Sequence, residues 1–401
     1  MSTVALTDRL SMKVAATADT ALSASARLFY LTAVVGQVVF AFAVASFYVS
    51  AAVRGNFEAW NRFMPHGYIA GETIGNGVVA AHLTAAVLII LSGAIQLLPQ
   101  VRRRAPALHR WNGRVYILTA FVVSGAGLFM IWARHGAGDL SQMIGASLNG
   151  VLVMVFAAMA LRTALARDFK THRRWALRLF LAASGVWFIR IGLALSLLLN
   201  KGPWGFDPKT FQGPFLTFIS FASYLLPLAV LQLYLRAQDR AGAPFRLAMA
   251  GGLLALTVAM GVGIFAATLV MWVPRVKAAF DGRRSIDQTL SATIAAEGID
   301  AAVLQYHRLK AAAPAAYDFD ERELSVMGRR LIRDQRFEDG LRILQLNAEA
   351  YPQSSKVYER LADAYLDHGD TALALDNYRK SLERDPGNGA VAHALLKLNT
   401  H

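Results

Sequence analysis

Two pairs of residues have the types and spacing to do chemistry. His109 and His172 each stand at the start of a long apolar run and are each followed by arginine, in His109-Arg110-Trp111 and His172-Arg173-Arg174-Trp175. Two imidazoles at one depth on neighbouring helices could ligate the iron of haem b, with Arg103, Arg110, Arg173 or Arg174 neutralising the propionates. Neutral imidazoles there could also hold a divalent metal. A plainer role is interfacial. Arg103, Arg104, Arg110, Arg114, Arg173 and Arg174 would then reach lipid phosphates, while Trp111 and Trp175 form an aromatic belt.

His82 and Arg190 are the clear ionisable residues inside apolar runs. At the helical rise they sit about 24 Å and about 21 Å from the basic ends of their helices, a similar depth. Asn149, Ser220 and Tyr224 fall near that level. A charged arginine in hydrocarbon costs at least about 2.5 kcal/mol unless paired or hydrated. Its counter-charge would be Glu72 dipping in from a loop, a bound anion, or water. The functional expectation is a pocket for an anionic or quinone-like small molecule, lined by His82, Arg190, Asn149 and Tyr224. The alternative is a structural polar layer in which Arg190 hydrogen-bonds helix carbonyls.

Membrane helices must position these groups. Apolar runs of spanning length lie near 28–53, 76–98, 115–132, 144–161, 176–199, 214–235 and 247–272, and none contains Asp or Glu. That absence weighs against a proton- or cation-coupled transporter, the weaker functional alternative. Mean hydropathy is +0.38 and only 17% of the 401 residues are charged, too apolar for a soluble protein of this length. The net charge of +14 comes from the first part of the chain. Residues 1–274 hold 23 Lys and Arg against 8 Asp and Glu, whereas 275–401 hold 18 against 19. The excess is a topology signal, and no nucleic-acid partner is expected. Without cysteine the chain has no disulfide, thiolate site or cysteine nucleophile.

With residues 1–27 cytoplasmic, 17 basic residues fall on the inner side and five outside. Seven spans then place the tail outside an inner (plasma) membrane. Arg275, Lys277, Arg283 and Arg284 cut against the rule, lying just beyond the last span. Pro227 is expected to kink its span. The expected organisation is a cytoplasmic segment 1–27, a bundle 28–274, a linker 275–285 and a helical domain 286–401.

The tail repeats at a shift of 34 residues, which places Gly328 on Ala362, Leu331 on Tyr365, Gly340 on Ala374, Leu344 on Tyr378 and Pro352 on Pro386. This is the spacing of tetratricopeptide repeats, with small residues where helices approach and proline ending the second helix. Repeats are expected at 321–354 and 355–388, with a looser helix pair before them. Such a module offers a surface for docking a protein partner.

The run Gly93-Ala94-Ile95-Gln96-Leu97-Leu98-Pro99, then Arg104, Leu108-His109-Arg110-Trp111-Asn112-Gly113-Arg114-Val115-Tyr116, His172-Arg173-Arg174-Trp175 and Arg190, resembles the bacterial membrane proteins grouped as domain of unknown function 2306. Asn112 stands where that family usually has a hydrophobic residue, and Ala176 where it often has methionine. The resemblance implies a membrane location and no known reaction. The tail, through Tyr317-Asp318-Phe319 and Asn347-Ala348-Glu349-Ala350-Tyr351-Pro352, looks like the repeat tail often fused to bacterial extracytoplasmic hydrolases. No Ser-x-x-Lys or Gly-x-Ser-x-Gly nucleophile accompanies it, so no catalytic residue is assigned. The sequence therefore predicts an all-α protein: a seven-helix membrane bundle that holds a small ligand or lipid, with helical repeats for docking. Haem-based electron transfer through His109 and His172 is the alternative.

Overall fold

The computed structural model describes residues 3–399 apart from 65, 135–137, 208–209 and 282. His135, Lys209 and His401 lie outside the described residues. The chain divides into two compact units, Met1–Phe280 and Asp281–His401.

The first unit is built from α1 (Thr3–Val53), α2 (Thr73–Gln96), α3 (Pro99–Arg104), α4 (Pro106–Ala133), α5 (Leu140–Leu165), α6 (Phe169–Ala183), α7 (Gly185–Leu199), α8 (Pro214–Arg240), α9 (Ala243–Ala267) and α10 (Val273–Phe280). A π-helical turn, Thr268–Trp272, joins α9 to α10. Six of these helices are long and apolar enough to cross a membrane, or seven if α6 and α7 count as one bent span. Large apolar side chains such as Val35, Leu118, Phe218 and Val258 are exposed on the unit, as lipid-facing residues must be. The chain is an integral membrane protein.

Helix starts follow local chemistry. Proline opens α3, α4, α8 and α9, where its missing N–H is harmless and its fixed φ suits the first turn. Asp139 and Asp168 cap α5 and α6 by accepting the backbone N–H groups of Gln142 and Thr171.

Residues 1–27 are not a segment apart from the first span: α1 runs for 51 residues without a break. Its basic end is held by the Asp19–Arg246 ion pair at 2.6 Å and by Leu22, which packs with Ala237 and Leu253. Pro227 sits inside the uninterrupted α8, and α6 and α7 meet at 49°. The cause is the Ser184-Gly185 pair, a typical site for a kink. Gly185 also lets Asn149 approach so closely that a Cβ there would lie 2.7 Å from its Nδ2. The boundary between the two units falls within the expected linker 275–285, where helix α10 continues to Phe280 and Arg284–Ser285 is a short strand, β1, paired in parallel with β2 (Tyr317–Asp318).

In the second unit, α11 (Ile286–Glu297) packs with α12 (Ile299–Ala312), α13 (Glu321–Arg333) with α14 (Phe337–Ala350), and α15 (Ser355–His368) with α16 (Thr371–Arg384), before a final α17 (Gly389–Asn399). The 34-residue shift maps α13 onto α15 and α14 onto α16. Gly328 and Gly340 meet at the crossing of α13 and α14, where a Cβ on Gly340 would lie 2.6 Å from the Gly328 carbonyl oxygen. Leu344 fills the groove beside Gly328, as the small-and-bulky alternation requires.

Candidate functional site

Call the end of the bundle that carries Arg102–Arg104 the basic end, and the other the far end. Towards the far end, His82 on α2 faces α4. Its Nδ1 lies 3.0 Å from the Val123 carbonyl, and Gly127 leaves room for the ring. Arg190 on α7 donates from Nη1 to the Val186 carbonyl at 2.8 Å, and its guanidinium sits 5.1 Å from the centre of the Phe40 ring of α1. His82 is within electrostatic reach of Arg190. Asn149 lies against Gly185 with its Oδ1 buried and unpartnered, and the hydroxyl of the fully buried Tyr224 is likewise unpartnered. Gly145 and Ser220 touch one turn away, so Asn149 and Tyr224 share a level between α5 and α8.

Two cavities, of about 320 and about 290 Å³, lie at Gly55, Asn56, Phe57, Glu58 and Tyr68 and at Leu31, Thr32, Val35, Gly261 and Ile264. Glu72 is not the counter-charge of Arg190. It pairs with Arg134, whose Nη2 donates to Glu72 Oε2 at 2.9 Å and to Asn76 Oδ1 at 2.8 Å, while Nη1 donates to the His66 carbonyl at 2.8 Å. Arg134, whose side chain is 3% exposed, thus ties the end of α4 to the loop before α2.

A second arginine that sequence reasoning left aside joins the layer. Arg275 on α10 donates to the Met271 carbonyl at 2.8 Å and stacks 4.4 Å over Phe63. Arg190 and Arg275 lie within electrostatic reach of each other, and both act on Tyr48 of α1. Among the described residues neither arginine meets a carboxylate. The one available signal was the breach of the charge rule at Arg275.

At the basic end, His172 Nδ1 lies 2.8 Å from the Ala160 carbonyl of α5, and His109 is within electrostatic reach of His172. His109 Nε2 lies 3.4 Å from Gln96 Nε2, its Nδ1 is buried without a partner, and Asn112 Nδ2 donates to Gln96 Oε1 at 2.9 Å. No group of three or more His, Cys, Asp or Glu side chains converges among the described residues. A bare divalent ion would therefore find at most two imidazoles, whereas haem brings four nitrogens of its own.

The interfacial residues divide. Arg102, Arg103, Arg104 and Arg110 are exposed, and Trp111, 65% exposed, carries Arg114 4.6 Å over its ring, as the interfacial role asks. Arg174 instead pairs with Asp239, Arg173 lies 3.5 Å from Gln238, and Trp175 packs on Phe156 within the bundle, so these three knit α6 to its neighbours.

Residues 79–237 match the family model described as Predicted membrane protein (DUF2306). No curated protein and no solved structure matches the chain. The matched stretch holds His82, His109, Asn149, His172, Arg190 and Tyr224 but ends before Arg275 and begins after Phe40, Tyr48 and Phe63.

The Arg134 network generates a test. Replacing Arg134 with methionine strips partners from Glu72, Asn76 and the His66 carbonyl, and is expected to destabilise the bundle by about 2 kcal/mol. Thermal unfolding in detergent reads the loss; a midpoint equal to wild type would show that the network contributes nothing.

Proposed function

We propose that the membrane unit binds a small anionic ligand or lipid in its far half, centred on Arg190. The observation that carries this is an arginine inside the bundle with no carboxylate partner among the described residues, Glu72 being committed to Arg134. A carbonyl bond and the face of Phe40 hold the guanidinium in place but leave its charge unbalanced. A bound anion supplies the missing balance. The helical tail, with its tetratricopeptide-like pairs, is the natural docking module for a protein partner. The loop charges support a cytoplasmic basic end in an inner membrane, with the tail extracytoplasmic.

In purified protein, laurate is expected to bind at least about tenfold tighter than uncharged lauryl alcohol, and Arg190→Leu should remove that preference while leaving the protein monodisperse. A variant that is more stable than wild type and keeps the preference would make Arg190 purely structural. A reporter fused after His401 should be active only outside the cytoplasm; cytoplasmic activity reverses the orientation.

A second reading is a haem held by His109 and His172. It is favoured by the buried, unpartnered Nδ1 of His109 and by the His172 Nδ1 contact with the Ala160 carbonyl, which orients a ring for ligation through Nε2. A Soret band in protein from haem-replete cells, lost in His109→Ala and in His172→Ala, is the expected signature; colourless protein removes this reading.

A further inference from the structure

Beyond Arg190 itself, the far half of the bundle brings together groups that all ask for the same kind of ligand. Arg190 arrives on α7 and Arg275 on α10, and among the described residues each donates to a carbonyl four residues back on its own helix. Each guanidinium lies over an aromatic face, Phe40 at 5.1 Å and Phe63 at 4.4 Å, so each plane is fixed while its remaining N–H groups are free to donate. Tyr48 stands beside Phe47, whose ring lies 4.7 Å from the Phe63 ring that carries Arg275. Trp272, 1% exposed and 5.6 Å from Phe40 ring to ring, has a buried indole N–H with no acceptor. The wide π-helical turn Thr268–Trp272 leads into α10, and such turns are frequent at functional sites.

The contact of Phe40 with Trp272 brings the segments that carry the two arginines together, and among the described residues neither guanidinium meets a carboxylate. A carboxylate ligand would balance one of them. A phosphomonoester balances both, with about two negative charges and three strong acceptor oxygens that suit paired arginine forks. Phe40, Phe63 and Trp272 suit an apolar portion attached to that head. We propose that Arg190 and Arg275, with Tyr48 and Trp272 as further donors, form a phosphomonoester site. This rests on the reading that Arg190 binds an anion and adds the class of anion.

The test is a titration of the full-length protein in maltoside detergent near pH 8, where a phosphomonoester is a dianion. Dodecyl phosphate, laurate, lauryl alcohol and inorganic phosphate are compared by thermal stabilisation. Dodecyl phosphate is expected to bind at least about tenfold tighter than laurate, and Arg275→Leu to bring the two together, with Arg275→Lys intermediate. Inorganic phosphate as effective as dodecyl phosphate would assign the head group to a soluble phosphate; dodecyl phosphate alone would assign it to a lipid. Equal affinity of wild type for laurate and dodecyl phosphate, both above lauryl alcohol, overturns the phosphomonoester while leaving the anion reading in place. No anion bound more tightly than lauryl alcohol overturns both. The wild-type comparison decides even if the variants do not fold.

Discussion

A positive charge surrounded by hydrocarbon must be answered, and this protein has no acid in its spans with which to answer it. The structure meets the demand in graded ways. Arg134, close to the far-end loops, finds Glu72, Asn76 and the His66 carbonyl. Arg174, at the basic end, finds Asp239. Among the described residues Arg190 and Arg275 find carbonyls of their own helix and aromatic faces. Rings attract cations through their quadrupoles but carry no net charge, so two guanidiniums leave a residual field in the far half of the bundle. Helix α1 meets both segments, packing against α10 and setting Phe40 against Arg190.

Much of the bundle was legible because lipid imposes a simple rule: about 20 apolar residues for each crossing. That rule placed α2, α4, α5, α8 and α9, and the small-residue phase at 34 residues placed the helix pairs of the tail. It could not see where helices run past the apolar stretch. The polar first turns of α1 lack a hydropathy signal, yet the helix continues through them, and Leu22 and Asp19 find partners on the adjoining ends of α8 and α9. Nor could it locate the bend at Ser184-Gly185, where Gln37 donates to the Ser184 hydroxyl at 2.8 Å.

The candidate site was legible residue by residue and not as an arrangement. His82, Arg190, Asn149 and Tyr224 stood out by type, and counting residues from the basic end set them at similar depth. Depth fixes one coordinate, whereas the rotation of each helix fixes the neighbours. His82 turned towards α4, Asn149 towards Gly185, and Arg190 towards α1. The partner that does share electrostatics with Arg190, Arg275, comes from a stretch that reads as a topological irregularity and lies beyond the matched residues 79–237.

The length of α1 has a mechanical corollary. One continuous rod of 51 residues is clamped near its start by Arg246 and, some six turns or more later, presents Phe40 and Tyr48 to the paired arginines. No proline interrupts α1, so the contact with Arg246 and the two rings near the arginines stand on one unbroken rod.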